Sequence, residues 1–266
     1  MHQYVVLKSA TLFDRFVEYS HHCLKGGYVF DSENESSVKK AIATIDESQL
    51  GVILVGNPGS GKTILFEMLQ RIIHPQSQNF FSKKHAQKAV DDFSVDGPKS
   101  LYAYENTNYM FDDIFKETKG HFYSNKNVEV FVKLICQRYD DWKAGKRGTY
   151  GKQRVITHFT TNHSRSEFLN RYGLYCTTRL DEMCERVLIG EKENYTQRRL
   201  YKNFIGLPQV YHAPVKSKED QEWEDSYKAH RENSRNKPPE EKQQHGGGMG
   251  TMLRRAIGTD HLKPQA

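Results

Sequence analysis

Gly56-Asn57-Pro58-Gly59-Ser60-Gly61-Lys62-Thr63 follows the pattern GxxxxGK[ST]. Glycines at such spacing let consecutive backbone N–H groups curl around phosphate oxygens at a helix N-terminus. The lysine reaches the β- and γ-phosphates, and the hydroxyl after it ligates Mg²⁺. The residue types therefore predict a nucleoside triphosphate site, with Lys62 on the phosphates and Thr63 on the metal. Four fixed positions recur by chance in about one chain in a hundred of this length, so the flanking elements matter. Val52-Ile53-Leu54-Val55, the longest aliphatic run in the chain, stands just before the loop and reads as a buried strand of a parallel sheet. A helical pattern over 62–73 follows. The alternative is a glycine-rich strand-to-helix turn that binds nothing.

A site of this kind needs a carboxylate at the end of a neighbouring strand to hold the metal. Tyr109-Met110-Phe111-Asp112-Asp113 is an apolar strand that ends in two acids, a costly arrangement unless the acids face a cation. Asp112 is assigned to Mg²⁺, directly or through Thr63 and water. Asp113 is assigned to polarising the attacking water, a task Glu117 is placed to share. The alternative is that the two aspartates cap a following helix. A third strand, 155–159, runs into Thr160-Thr161-Asn162, where an amide at a strand tip orients water or senses hydrolysis. Arg171 and Arg179, and beyond them Arg186, Arg198 and Arg199, are candidates for a phosphate of their own or a neighbouring subunit. Each also reads as an ordinary surface or ion-pair arginine.

The elements that must position these residues alternate. After strand 51–55 and helix 62–73, the pattern predicts a short strand at 80–81 and a helix at 83–93. Next come a strand at 109–111, a helix at 127–142 and the strand at 155–159. Helices at 164–171 and 175–185 precede a last strand at 187–189. Strand then helix, repeated, is the α/β signature.

At this point the residues resemble a family, the DnaC/IstB-like helicase-loader ATPases of the AAA+ class. The likeness runs from Gly51 to Ile189. It is carried by Gly56–Thr63, Phe111-Asp112-Asp113-Ile114 with Glu117, Arg138-Tyr139, Thr160-Thr161-Asn162, Arg171-Tyr172-Gly173 and Arg179-Leu180-Asp181-Glu182-Met183. The last two blocks are similar to the family's "RYG…SRLxEM" signature. Phe115 stands where the family has glycine, and Thr178 where it has serine. The resemblance implies an α/β P-loop NTPase fold with a five-stranded parallel sheet flanked by helices and a small helical lid. It places Asn162 at the sensor-1 position and makes Arg179 an arginine finger that reaches the ATP of an adjacent subunit. The sensor-2 position falls to Arg198 or Arg199.

Composition sets the frame around that core. The 266 residues are 36% hydrophobic and 27% charged, with a mean hydropathy of -0.78. They suit one packed domain with polar appendages. No apolar run approaches the roughly 20 residues of a membrane span, and no basic segment followed by an apolar stretch opens the chain. The expectation is therefore a cytoplasmic protein without a membrane partner. Cys23, Cys136, Cys176 and Cys184 are widely spaced and read as reduced thiols. His21-His22-Cys23 reads as three side chains that a helix turns to different faces. Lys plus Arg at 39 against Asp plus Glu at 33 gives +6, a balance that suits a polyanion. Lys143, Lys146, Arg147, Lys152 and Arg154 form a basic stretch before the third strand, either a nucleic-acid track or a solvated loop.

Four regions follow: an N-terminal helical extension (1–48), the ATPase core (49–211), a mobile charged linker (212–248) and an amphipathic segment (249–266). Lys216 to Gly248 contains no Ile, Leu, Val, Phe or Met and cannot build a core. Met249, Met252, Leu253, Ala256 and Ile257 then form one helical stripe, fit either to dock on a partner or to fold back on the core. The function expected is that of an ATP-binding and ATP-hydrolysing replication accessory protein, a helicase loader that acts as a homo-oligomer on single-stranded DNA, with ATP and Mg²⁺ as cofactors. The alternatives are a transposition helper ATPase, a non-hydrolysing ATP-dependent DNA scaffold, and a metabolic kinase.

Overall fold

The computed structural model describes residues 4–28, 30, 34–122, 125–147, 154–189 and 204–212, all within a unit of residues 1–213. The elements run β1 (Tyr4–Val5), α1 (Leu12–Cys23), α2 (Asn34–Glu47), β2 (Gly51–Val55), α3 (Lys62–Ile72), β3 (Ser82–His85) and α4 (Ala86–Asp96). A 3₁₀ segment, Gly97–Tyr104, leads to β4 (Tyr109–Asp112), β5 (Gly120–Phe122), β6 (Asn125–Val128) and α5 (Val130–Lys143). The series closes with β7 (Thr157–Thr161), α6 (Arg165–Met183), β8 (Cys184–Leu188) and β9 (Gln209–Val210).

Five strands form one parallel sheet in the order β3-β4-β7-β2-β8. β2, which feeds the glycine loop, lies between β7 and β8, so β7 separates it from β4 and its acids. Asn162 therefore emerges between the loop and the acids. Both faces of the sheet are covered, which is why β2 reads as an unbroken aliphatic run. Side chains alternate along it. Val52 and Leu54 join a core with Phe16, Ile42 and Leu65 from α1, α2 and α3. Ile53 enters a second core with Phe111, Phe131, Phe159 and Phe168, and α4, α5 and α6 close that face. The helices before Gly51 thus share a core with the five-stranded sheet. The short pair β1–β9 is also parallel, with Val5 opposite Val210, a pairing of distant segments that the sequence pattern does not show.

Several expected boundaries shift because pairing, not local preference, sets them. The strand expected at 80–81 forms at 82–85, and Lys83 and Lys84, expected in a helix, lie in it. β3 is an edge strand, the place where lysines are tolerated. The helix expected from 127 starts at 130, since 125–128 pairs with 120–122 in an antiparallel hairpin. β7 runs two residues later than expected, so Thr160 and Thr161 lie within the sheet. The two helices expected at 164–171 and 175–185 are present as the two arms of α6, which meet at Gly173, where φ 81° and ψ 166° are not helical. It opens on a capping box: the Ser164 hydroxyl accepts from the Glu167 N–H, and Glu167 answers the Ser164 N–H at 2.7 Å. β8 begins at Cys184 rather than at 187.

In α1, Cys23 is buried while His21 and His22 are exposed, so the three neighbours do face different ways. All four cysteines are free thiols. No helix among the described residues is long and apolar enough to cross a membrane. Arg198, Arg199, Lys152, the linker beyond His212 and the segment 249–266 lie outside the described residues. So does most of the stretch in which a lid would follow β8; residues 204–212 within it hold only β9.

Candidate functional site: a phosphate-binding loop at the strand ends

The loop leaves β2 at Gly56, where a Cβ would lie 2.0 Å from the Ile189 carbonyl oxygen, so only glycine fits. It closes on Gly61, whose φ of 87° is left-handed, and no side chain caps α3. The N–H groups of the first turn of α3 are thus free of a side-chain cap, at the positive end of a helix of 11 residues. This is the feature that receives phosphate. A cavity of about 460 Å³ opens beside the loop, lined by Gly56, Asn57, Asn162, Arg186 and Leu188 among others.

Lys62 is buried. Its ammonium donates to Gly56 O (2.8 Å), Asn57 O (3.0 Å), Ser60 Oγ (3.2 Å) and Asn162 Oδ1 (2.8 Å). Burial pushes it down to about 8, against the pull of Asp113. Asn162 is thereby brought onto the loop lysine itself, a contact across 100 residues that joins the tip of β7 to the loop.

Asp112 ends β4 with its side chain only 3% exposed. Thr63 Oγ1 donates to its Oδ1 at 2.9 Å and Thr160 Oγ1 donates to the same oxygen at 2.6 Å. Burial opposes the charge, but the Thr160 bond, Lys83 and the Thr63 bond hold the carboxyl below its ordinary range. The hydroxyl of Thr63 beside one carboxylate is the donor set of a Mg²⁺ ion that takes its other ligands from water and substrate phosphate. The residues fit that ion. Among the described residues no group of three His, Cys, Asp or Glu side chains offers an all-protein cage.

Asp113 follows on a turn at φ 56°. Its N–H donates to Thr160 Oγ1 at 2.8 Å, so one threonine ties both acids to β7. Its carboxylate is exposed and lies 3.0 Å from Lys116 Nζ. No helix follows directly: residues 113–115 are turn and the next element is β5. The helix-capping alternative is thus set aside. Phe115, at the position where glycine is usual, has φ 86°, costly for a bulky residue. Its ring offsets that cost by stacking on His163 with centroids 4.0 Å apart, under the Arg171 guanidinium at 4.7 Å.

Glu117 requires a correction. Its carboxylate is buried: Oε1 accepts from Tyr172 Oη at 2.5 Å and pairs with Arg171 Nη2 at 3.0 Å, and Oε2 accepts from the Phe115 N–H at 2.7 Å. Both oxygens are occupied by the polypeptide itself, and burial pushes the group up. Glu117 therefore braces the acid turn against α6 and is not available to polarise water. Arg171 belongs to that brace, donating to the carbonyls of Phe115 and Glu117.

Arg179 is placed away from the loop. It ion-pairs with Asp140 at 3.2 Å, stacks on Tyr175 at 4.0 Å and Tyr139 at 4.8 Å, and donates to the Cys136 carbonyl. Around it, Leu174 and Tyr175 are about two-thirds exposed. In the basic stretch, Lys146 pairs with Asp141 at 2.6 Å and Arg154 lies over Trp142 at 5.2 Å.

Sequence reasoning missed Lys83, Thr160 as the link between the acids, and Arg138. Edge-strand lysines and strand threonines carry no sequence signal of their own. Arg138 stands in a motif block, but nothing in the block shows that it is buried.

A parallel sheet, a glycine loop ahead of an uncapped helix, and a buried acid two strands away make this a P-loop nucleotide-binding fold. No protein-family model matches the chain, and no curated protein matches it. Among solved structures it is similar to the DnaC helicase loader, at 17% identity over 65% of this chain and 98% of that one, with a TM-score of 0.47. It is similar also to a putative primosome component from Streptococcus pyogenes serotype M3, at 12% identity over 71% of this chain and 94% of that one, with a TM-score of 0.44. AMPPCP-bound DnaA from Aquifex aeolicus gives 13% identity over 66% of this chain and 52% of that one, with a TM-score of 0.45.

Proposed function

We propose that the chain binds and hydrolyses ATP with Mg²⁺ as a DNA replication accessory protein, a helicase loader that assembles into a homo-oligomer on single-stranded DNA. The observation that carries the ATP reading is the Thr63–Asp112 hydrogen bond at 2.9 Å beneath an uncapped helix N-terminus. It supports Lys62 and the loop amides on the phosphates, Thr63 and Asp112 on the metal, and Asp113 on the attacking water. Bound Mg²⁺ would neutralise charge that develops on the transferred phosphoryl group. Asn162, released from Lys62 when phosphate takes its place, reports the state of the γ-phosphate through β7.

The oligomeric part rests on the motif blocks around Arg179. Its ring platform and Asp140 hold the guanidinium on its own subunit, so reaching a neighbour's ATP means exchanging Asp140 for phosphate. ATP turnover measured with and without single-stranded DNA, with particle mass followed by light scattering, tests this reading. ATP-dependent assembly and DNA-stimulated turnover are expected, with Arg179→Ala retaining ATP binding and losing the turnover that assembly brings. A folded Arg179→Ala protein with unchanged turnover would remove the arginine-finger role.

A further inference from the structure

Lys83 stands on an edge strand, yet its ammonium does not run out to solvent. Nζ lies 2.6 Å from Glu67 Oε1 on α3 and 3.2 Å from Asp112 Oδ2 at the end of β4. The lysine side chain is 20% exposed, so bulk water and salt screen the pair poorly. Glu67 comes one helical turn after Thr63 and shares its side of α3. His85 lies on the same face of β3 as Lys83, with Nδ1 4.0 Å from the same Asp112 oxygen. Asp112 thus divides its oxygens: Oδ1 accepts two hydroxyls, while Oδ2 faces a fixed cation.

We propose that Lys83 is the counter-ion of Asp112 in the metal-free protein and gives way when Mg²⁺ arrives, with Glu67 taking the ammonium. The inference rests on the ATP reading and deepens its metal site. A buried carboxylate with no cation is costly, and Lys83 removes that cost while the site is empty of metal. A divalent ion on Asp112 then meets the repulsion of an ammonium already there. Glu67 holds the closer contact, so Lys83 keeps a partner when it leaves Asp112. The array of two carboxylates and one ammonium makes metal entry an exchange. Phosphate oxygens arriving with the nucleotide supply the extra negative charge that drives it. Lys83 is a positioning residue that acts on the metal through Asp112.

The test is a titration of a fluorescent ADP analogue into the full chain, in EDTA and over a series of Mg²⁺ concentrations, for the wild type, Lys83→Met and Glu67→Gln. Each protein's affinity in EDTA is its own reference, and the readout is the Mg²⁺ concentration that half-completes the tightening of nucleotide. Lys83→Met is expected to lower that concentration about tenfold, because one opposing charge is gone. Glu67→Gln, which leaves the ammonium to Asp112 alone, is expected to raise it about threefold. Loosening of the fold would move both variants in one direction. A higher or unchanged requirement in Lys83→Met, or two shifts of the same sign, would overturn the proposal. If circular dichroism shows that Lys83→Met does not fold, Lys83→Gln keeps a donor to Asp112 without the charge and carries the same expectation. A wild-type protein that binds no nucleotide overturns the ATP reading and this inference with it. Nucleotide binding with an unshifted metal requirement overturns this inference alone.

Discussion

Lys62→Ala is expected to weaken ATP binding about a hundredfold and to reduce turnover to background, while the protein stays folded. One charge-assisted contact to phosphate contributes about 1.5 to 3 kcal/mol, and Lys62 is the ammonium that the loop geometry aims at two phosphates. In the absence of nucleotide that ammonium is held by four acceptors, including Asn162 Oδ1. Phosphate has to displace them, so the lysine's contacts are exchanged on binding. Equilibrium titration with a fluorescent ATP analogue measures the affinity, and a thermal melt of the same sample shows that the fold is intact. Lys62→Arg is expected to restore little, because the guanidinium fork does not fit a pocket cut for a point charge.

Arg138→Met is expected to lower the free energy of unfolding by about 3 kcal/mol, with the loss concentrated at the junction of the two strands that carry the site. Arg138 is 1% exposed, and burial pushes it down to about 10. Its Nε donates to Thr157 Oγ1 at 2.8 Å, Nη1 to the Tyr104 and Glu105 carbonyls at 2.5 and 3.1 Å, and Nη2 to the Ile156 carbonyl at 2.9 Å. Among the described residues no carboxylate pairs with it; Asp141 gives its contact to Lys146. The guanidinium therefore staples the end of the 3₁₀ segment before β4 to the start of β7. Methionine keeps most of the volume and removes the charge, which is a gain. It also takes the guanidinium donors from the buried Tyr104 carbonyl and Thr157 hydroxyl, while the Ile156 carbonyl keeps the Tyr109 N–H; at about 1 to 3 kcal/mol for each buried acceptor left unpaired, that loss is larger. Urea unfolding at neutral pH gives the difference. A variant as stable as the wild type would mean that the carbonyls find other donors.

The phosphate loop, β2, α3 and the acid pair were legible because everything that defines them is local. A glycine spacing, an aliphatic run and two acids at a strand end occupy adjacent positions, and their chemistry follows from residue type. Asn162 was legible from its place after a strand, and the structure brings it to Lys62. The failures share one cause, long-range approach. Glu117 looks like a free acid near the reaction until Tyr172 and Arg171, more than 50 residues away, close over it. Lys83 looks solvated until β3 pairs with β4 and places it against Asp112. Residues 83–85 read as the start of the helix expected at 83–93, and only the edge of a sheet makes them strand. Phe115 sits at a left-handed turn where glycine would be free of strain. Its reason is a stack with His163 that no local pattern contains.

The proposed hydrolysis of ATP turns on Asp113 acting on the attacking water. The most direct measurement is phosphate release from ATP and Mg²⁺ by the purified full chain, with Asp113→Asn alongside and ATP binding measured on both. Asparagine leaves the backbone N–H bond to Thr160 in place and removes only the charge. Slow release by the wild type, lost in Asp113→Asn with ATP binding retained, is the expected result. Equal release by the two proteins, or ATP bound by the wild type with no release under any condition, would contradict it.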